Sequence, residues 1–219
     1  MDSEASTMEI LNSKSVGIVY SLVDIIKMNK EYLGEIDGAI GDGDHGINMA
    51  KGFTMTGEKL TKEGVSSFSD GLLMLGDVLL MDIGGSMGPL YGTFFNEMGE
   101  ACESVEKIDR EVFGKMIKAG YDGILSLSKV KVGDKTLVDC LDPAFEAYYA
   151  AQADGKDFAA CLTALKTAAF TGWQSTKDLV AKIGRAARLG ERSRGTLDAG
   201  ATSCYLILSC MCDEILKSL

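Results

Sequence analysis

Histidine, tryptophan and proline are scarce in this chain of 219 residues: His45 and Trp173 stand alone, and the prolines are Pro89 and Pro143. One imidazole, with no C-x-x-C pair beside it, excludes the usual zinc centres. Basic side chains are also in deficit, 22 Lys and Arg against 32 Asp and Glu, for a formal net charge of −10. That balance excludes nucleic acid and an anionic membrane surface as partners. No apolar run reaches the ~20 residues of a membrane span. The start, Met1-Asp2-Ser3-Glu4, lacks the basic residues that open a signal peptide. Six cysteines (Cys102, Cys140, Cys161, Cys204, Cys210, Cys212) are scattered over helical stretches. Reduced core thiols in a cytoplasmic protein are therefore expected. Strand signals are thin and glycine is abundant, at 26 residues. That combination points to helices joined by tight, functional loops. At this length one core suffices, so a single domain over 1–219 is expected.

The most crowded acidic stretch runs from Asp37 to Asn48, as Asp37-Gly38-Ala39-Ile40-Gly41-Asp42-Gly43-Asp44-His45-Gly46-Ile47-Asn48. Asp37, Asp42 and Asp44 fall within eight residues with no basic residue among them. Two such charges ~4 Å apart repel by about 4 kcal/mol at an effective dielectric of ~20, which implies a cation among them. Oxygen ligands alone select a hard ion, Mg²⁺ or Ca²⁺. Gly41, Gly43 and Gly46 also spell G-x-G-x-x-G. Glu35 to Ile40 is a poor strand, however, and Asp42 and Asp44 would repel bare pyrophosphate, which argues against a dinucleotide fingerprint. An EF-hand loop from Asp42 fails where Gly46 and Phe53 stand in place of its ligands. A plain Gly/Asp-rich turn between helices is the remaining alternative.

Apolar periodicity predicts helices over residues 8–30, 47–62, 69–83, 89–102, 109–129, 142–153, 157–182 and 199–216. Pro89 belongs in the first turn of its helix, Asp142 and Pro143 read as an N-cap and first helical residue, and Asp198 caps the last helix. Short connections favour antiparallel neighbours. The expected fold is all-α, an eight-helix antiparallel up-and-down bundle or barrel with no convincing strand.

Three further loops carry unusual chemistry. Gly84-Gly85-Ser86-Met87-Gly88 stands at a helix N-terminus, where exposed N–H groups and the helix dipole favour an anion. A helix–helix turn with Ser86 as N-cap is the alternative. Gly133-Asp134-Lys135-Thr136 lacks the glycine frame of a P-loop and reads as a solvated turn. Arg185, Arg188, Arg192 and Arg194 fall within ten residues, and the one other arginine is Arg110. In an acidic chain that cluster suggests an anionic partner, because guanidinium meets phosphate oxygens in a fork geometry. Alternatively it is a solvated loop bridged to acids such as Glu191, or a mobile lid that docks an acidic patch on a partner. His45, beside the carboxylates, would bond a phosphate or serve as a core or capping residue. Together the loops describe a nucleotide-phosphate site, where phosphoryl transfer needs positioning and electrostatics more than a covalent group.

These stretches resemble the nucleotide-binding L-subunit family of dihydroxyacetone kinases. The resemblance rests on residues 41–50, 84–86, 133–136, 190–193 and 198–203, in family order across nearly the whole chain. It implies an eight-helix antiparallel barrel with ADP or ATP bound in loops at one end. Asp37, Asp42 and Asp44 would hold two Mg²⁺ ions bridging the phosphates. His45, Gly46, Ile47, Asn48, Ser86, Met87, Leu137 and Arg185, with the turn Asp198-Ala199-Gly200, would line the nucleotide pocket. Arg185 would stabilise charge on the phosphates. The family pattern has a small residue where Met87 stands and proline at Ala199, differences that bear on pocket shape.

Because this chain carries no substrate-binding K domain, the resemblance implies the phosphotransferase-system form. ADP then stays bound as a coenzyme, and a phosphohistidine on a separate M subunit recharges it to ATP. The γ-phosphate passes to dihydroxyacetone on a separate K subunit, which also supplies the group that activates the sugar. Related kinases for other small ketoses share the loops. The nucleotide domain of a fatty-acid kinase has threonine where His45 stands and a further region after the last helix, whereas this chain stops at Leu219. A non-catalytic metal-binding helical regulatory module is the alternative from another class.

Overall fold

Short side chains decide where four of the helices begin. A computed structural model describes residues 8–219, so the acidic start, Met1 to Glu4, lies outside the described residues. Ser67 accepts a hydrogen bond from the Asp70 N–H at 3.0 Å and opens α4 (Phe68–Asp82). Asp109 accepts from Val112 N–H at 2.9 Å and opens α6 (Arg110–Leu127). Asp157 and Asp198 do the same for α8 (Phe158–Ser175) and α9 (Ala199–Ser218). Each such cap contributes about 1 kcal/mol. The remaining helices are α1 (Gly17–Met28), α2 (Lys30–Ile40), α3 (His45–Glu63), α5 (Met87–Glu100) and α7 (Val138–Ala153).

Eight helices close a ring. In chain order α3 to α9 each pack on the next, α9 packs on α1, and α1 packs on α3. The ninth, α2, packs against both α3 and α9. The ring encloses one continuous apolar core that includes Leu22, Phe53, Leu75, Phe95, Met116, Leu141, Leu165 and Met211. Burying each of these side chains contributes about 1.5–3 kcal/mol. Glycine sets how close two of the helices come. An ideal Cβ on Gly92 of α5 would lie 2.9 Å from the Gly76 carbonyl oxygen of α4 and would also collide with the Leu80 side chain, so only glycine lets the two helices come this close.

Neighbours joined by short links run antiparallel, so successive links alternate between the two ends of the ring. The links at 41–44, 83–86, 128–137 and 176–198 therefore all emerge at one end. These are the stretches that the sequence marks as chemical.

The all-α class holds, with local differences. The first predicted helix starts only at Gly17, because Ile10–Leu11 (β1) pairs antiparallel with Lys107–Ile108 (β2), a two-residue ladder where no strand was expected. Asn12, buried next to it, donates to the carbonyls of Cys102 and Val105 at 2.9 Å each and accepts from Ser69 N–H at 2.9 Å. Such long-range bonds outweigh local helix propensity. Residues 31–40, for which no helix was expected, belong to α2, with Leu33, Ile36 and Ile40 as its buried stripe. Asp142 and Pro143 do not open α7: it starts at Val138, and Pro143 lies inside it. The Asp139 carboxylate accepts from Gly133 N–H at 2.5 Å and Thr136 N–H at 2.7 Å, which draws the helix start forward. The helix predicted to reach Lys182 ends at Ser175 and passes into a 3₁₀ turn, Thr176–Asp178. Among the described residues α9 alone is long and apolar enough to cross a membrane, but over half of it is buried in this core, which accounts for its apolarity.

Candidate functional site

The four links at one end surround a cavity of about 560 Å³. Asp37, Asp42 and Asp44 form one side and Gly84 to Met87 another. Ser128, Val130 and Lys135 to Leu137 come from the third link, and Ile183 to Ala186 with Asp198 to Gly200 from the fourth.

Asp37 sits in the last turns of α2, and its Oδ2 accepts the His45 N–H at 3.2 Å. Asp42 and Asp44 lie on the link that follows. One oxygen from each carboxylate falls within 4.8 Å of the others. The Arg185 guanidinium pairs with Asp42 and lies 3.8 Å from Asp44 Oδ2. One positive charge against three negative ones leaves the cluster anionic. Three converging carboxylate oxygens with no sulfur or imidazole donor fit a hard divalent cation. Exposed ion pairs such as Arg185–Asp42 contribute only about 0–1 kcal/mol, so the arginine is readily drawn to a better anion.

His45 opens α3 and is 7% exposed. Its Nε2 lies 2.9 Å from Ser203 Oγ on α9, which lies 2.7 Å from the Tyr91 hydroxyl of α5. Tyr91 in turn donates to the Gly200 carbonyl at 3.0 Å. Burial pulls the imidazole pKa down to about 4, and nearby Asp37 only partly opposes this. The ring is therefore neutral at pH 7, and one of its nitrogens is engaged by α9 rather than held open for a phosphate.

Other expected residues divide between the cavity and its supports. Asn48, Ser86, Met87, Leu137, Arg185 and Asp198-Ala199-Gly200 line the cavity beside His45. Gly46 and Ile47 do not. Gly46 presses α3 onto α2, where an ideal Cβ would lie 2.8 Å from the Gly34 nitrogen, and Ile47 is 59% exposed. Ser86 makes no side-chain capping bond, which leaves the N-terminus of α5 without an internal acceptor. Burial pushes the Asp198 pKa up to about 7, against the pull of the Ala201 N–H that it caps.

Two readings of the loops change. Asp134 and Lys135 are buried, so Gly133 to Thr136 is not a solvated turn. Of the four clustered arginines only Arg185 lines the cavity. Arg194 bridges to Glu191 at 3.0 Å, and Arg188 and Arg192 have no carboxylate within 4.0 Å among the described residues. Ile40, Leu90, Tyr91, Val130 and Ile183 also line the cavity and were not singled out by the sequence. Val130, an apolar residue between two lysines, was the available signal for the third link; Ile183 follows the apolar run Leu179-Val180-Ala181 and carried none. With Met87 and Leu137 they add an apolar lining to a cavity that also holds an acidic cluster and Arg185, suited to a ligand with a flat ring and a charged tail.

A family model for the DAK2 domain matches residues 39–213. The chain belongs to the DAK2 domain family. Asp42, Asp44 and Arg185 fall inside the DAK2 match, and Asp37 lies two residues before it. Among relatives of this DAK2 chain, the ADP-binding subunit DhaL of PEP-dependent dihydroxyacetone kinase 1 from Listeria innocua is 39% identical over 186 residues, covering 85% of this chain and 88% of that one. The corresponding subunit from Escherichia coli is 37% identical over 185 residues, covering 84% and 88%. The crystal structure of the dihydroxyacetone kinase from C. freundii in complex with AMP-PNP and Mg²⁺ superposes with a TM-score of 0.67 at 21% identity. That match covers 97% of this chain and 36% of the longer one, and it is a likeness of fold.

Proposed function

We propose that this chain is the ADP-binding, phosphoryl-transferring subunit of a dihydroxyacetone kinase driven by phosphoenolpyruvate. ADP stays in the cavity as a coenzyme. A phosphohistidine on a separate M subunit recharges it to ATP, and the γ-phosphate passes to dihydroxyacetone on a separate K subunit. One observation carries this reading: three carboxylates and one arginine converge at a cavity, with an apolar lining, in a DAK2 chain.

Asp37, Asp42 and Asp44 would hold two Mg²⁺ ions, which when bound supply the positive charge that a diphosphate needs. Arg185 exchanges Asp42 for the phosphate oxygens and stabilises their charge during transfer. The backbone N–H groups at the start of α5 bind the phosphates through the helix terminus. Met87, Leu90, Val130 and Leu137 pack on the base. Neutral His45, tied to Ser203, links the start of α3 to α9. No side chain here acts as general base, since the group that activates the sugar belongs to the K subunit. The chain works as one nucleotide-binding domain in the cytoplasm, in keeping with six unpaired thiols.

Calorimetry tests the reading. ADP is expected to bind with Mg²⁺ present and to lose at least about tenfold in affinity without it. Metal binding with no nucleotide binding would instead mark a regulatory module.

A further inference from the structure

We infer that Lys135 is a positioning residue: its ammonium staples both limbs of segment 176–198 and so holds Arg185 at the phosphate end of the cavity. This rests on the role proposed for Arg185. Lys135 is 2% exposed, and at φ 63° it is the one non-glycine residue in the left-handed region among the described residues. Such a backbone persists only where its surroundings enforce it. Here the enforcement is visible at the far end of the side chain. Lys135 Nζ donates to the carbonyls of Thr176 at 2.7 Å and Leu179 at 3.2 Å, on the limb leaving α8. It also lies 2.8 Å from the Ser193 carbonyl and 2.5 Å from that of Thr196, on the limb entering α9.

The four carbonyl oxygens converge on one point from two strands of chain. Without a cation there, their dipoles face one another and the limbs part. An ammonium suits the place because it has three protons and a full charge to share among four acceptors. Weaker ties run alongside: Gly195 N–H to the Lys177 carbonyl at 2.7 Å, Ala181 N–H to Ser193 Oγ at 2.9 Å, and Lys182 N–H to the Asp134 carbonyl at 3.2 Å. Arg185 sits between the two stapled limbs. Lys135 itself belongs to the third link, so the staple also joins two walls of the cavity.

The test is a double-mutant cycle on the full chain, with Lys135→Met, Arg185→Ala and the double variant, read as ADP affinity in Mg²⁺ by calorimetry. Lys135→Met alone is expected to weaken binding about tenfold, and to cost less than about twofold once Arg185 is already alanine. Independent, multiplying losses would show a general structural role and overturn the inference. If Arg185→Ala leaves ADP affinity unchanged, the role given to Arg185 fails, and hydrogen exchange over 177–195 then decides the staple. Faster exchange there in Lys135→Met, with the rest of the chain unchanged, supports it, and unchanged exchange overturns it. Should Lys135→Met fail to fold, Lys135→Arg, which keeps the charge but not the fit among four carbonyls, enters the same cycle.

Discussion

Replacing Gly46 with alanine adds one carbon where α3 meets α2. That carbon would lie 2.8 Å from the Gly34 nitrogen, and closer still to the Lys30 carbonyl oxygen. Both neighbours are backbone atoms, so no rotamer change relieves the clash. To restore an ordinary contact with the Lys30 carbonyl oxygen α2 must retreat by more than about 1 Å. Overpacking against backbone on both sides falls in the upper part of the usual range, about 2–3 kcal/mol. Alanine returns about 1 kcal/mol in helix propensity, so the net loss is about 1–2 kcal/mol. For a chain of this size that lowers the melting temperature by roughly 2–8 °C. The larger effect is expected at the cavity. Because Asp37 rides on α2 while Asp42 and Asp44 lie beyond it, the retreat spreads the carboxylates that now converge within 4.8 Å. The rise in melting temperature on adding Mg²⁺ and ADP should therefore shrink. Gly57→Ala is the control, since its new carbon meets only the Val23 side chain of α1, at 3.2 Å. It should move the melting temperature little and leave the ligand-induced rise intact. If Gly46→Ala matched Gly57→Ala on both readouts, the backbone contact between α2 and α3 would not be what sets the acidic cluster.

Three other outcomes can be checked. His45 is the only imidazole, so its NMR signals are unambiguous. In the metal-free chain it should titrate near pH 4 rather than 6.5. The unfolded chain then takes up the proton first as pH falls, so stability held above about 6.5 is lost down to about 4, by about 3 kcal/mol in all, and His45→Gln removes that share. A midpoint near 6.5 would refute the burial argument. Asp139→Ala removes the acceptor of two backbone N–H groups that close the third link, and should cost about 2–4 kcal/mol in urea unfolding; a loss under half a unit on that scale would mean that water replaces the carboxylate. Asp42→Asn should change metal-free stability by less than about 1 kcal/mol, because the Arg185 pair is exposed, yet weaken Mg²⁺-dependent ADP binding at least about tenfold. Unchanged ADP affinity would remove Asp42 from the phosphate site.

Local chemistry determined a good part of this protein from sequence alone. Apolar periodicity was enough for the all-α class, and Asp198, a side chain that caps its own helix, marked the start of the last helix, because a cap involves only residues three apart. The acidic trio was legible for the same reason: its members lie within eight residues and repel one another wherever the chain goes. Tertiary structure decided the rest. Whether Ile10–Leu11 joined a helix or a strand depended on Lys107–Ile108, almost a hundred residues on. Lys135 looks like a surface lysine until the limbs on either side of segment 176–198 fold around it, and nothing local separates Arg185 from the three arginines near it. Closing eight helices into a ring brings alternate links to one end, and that long-range closure chose which side chains meet.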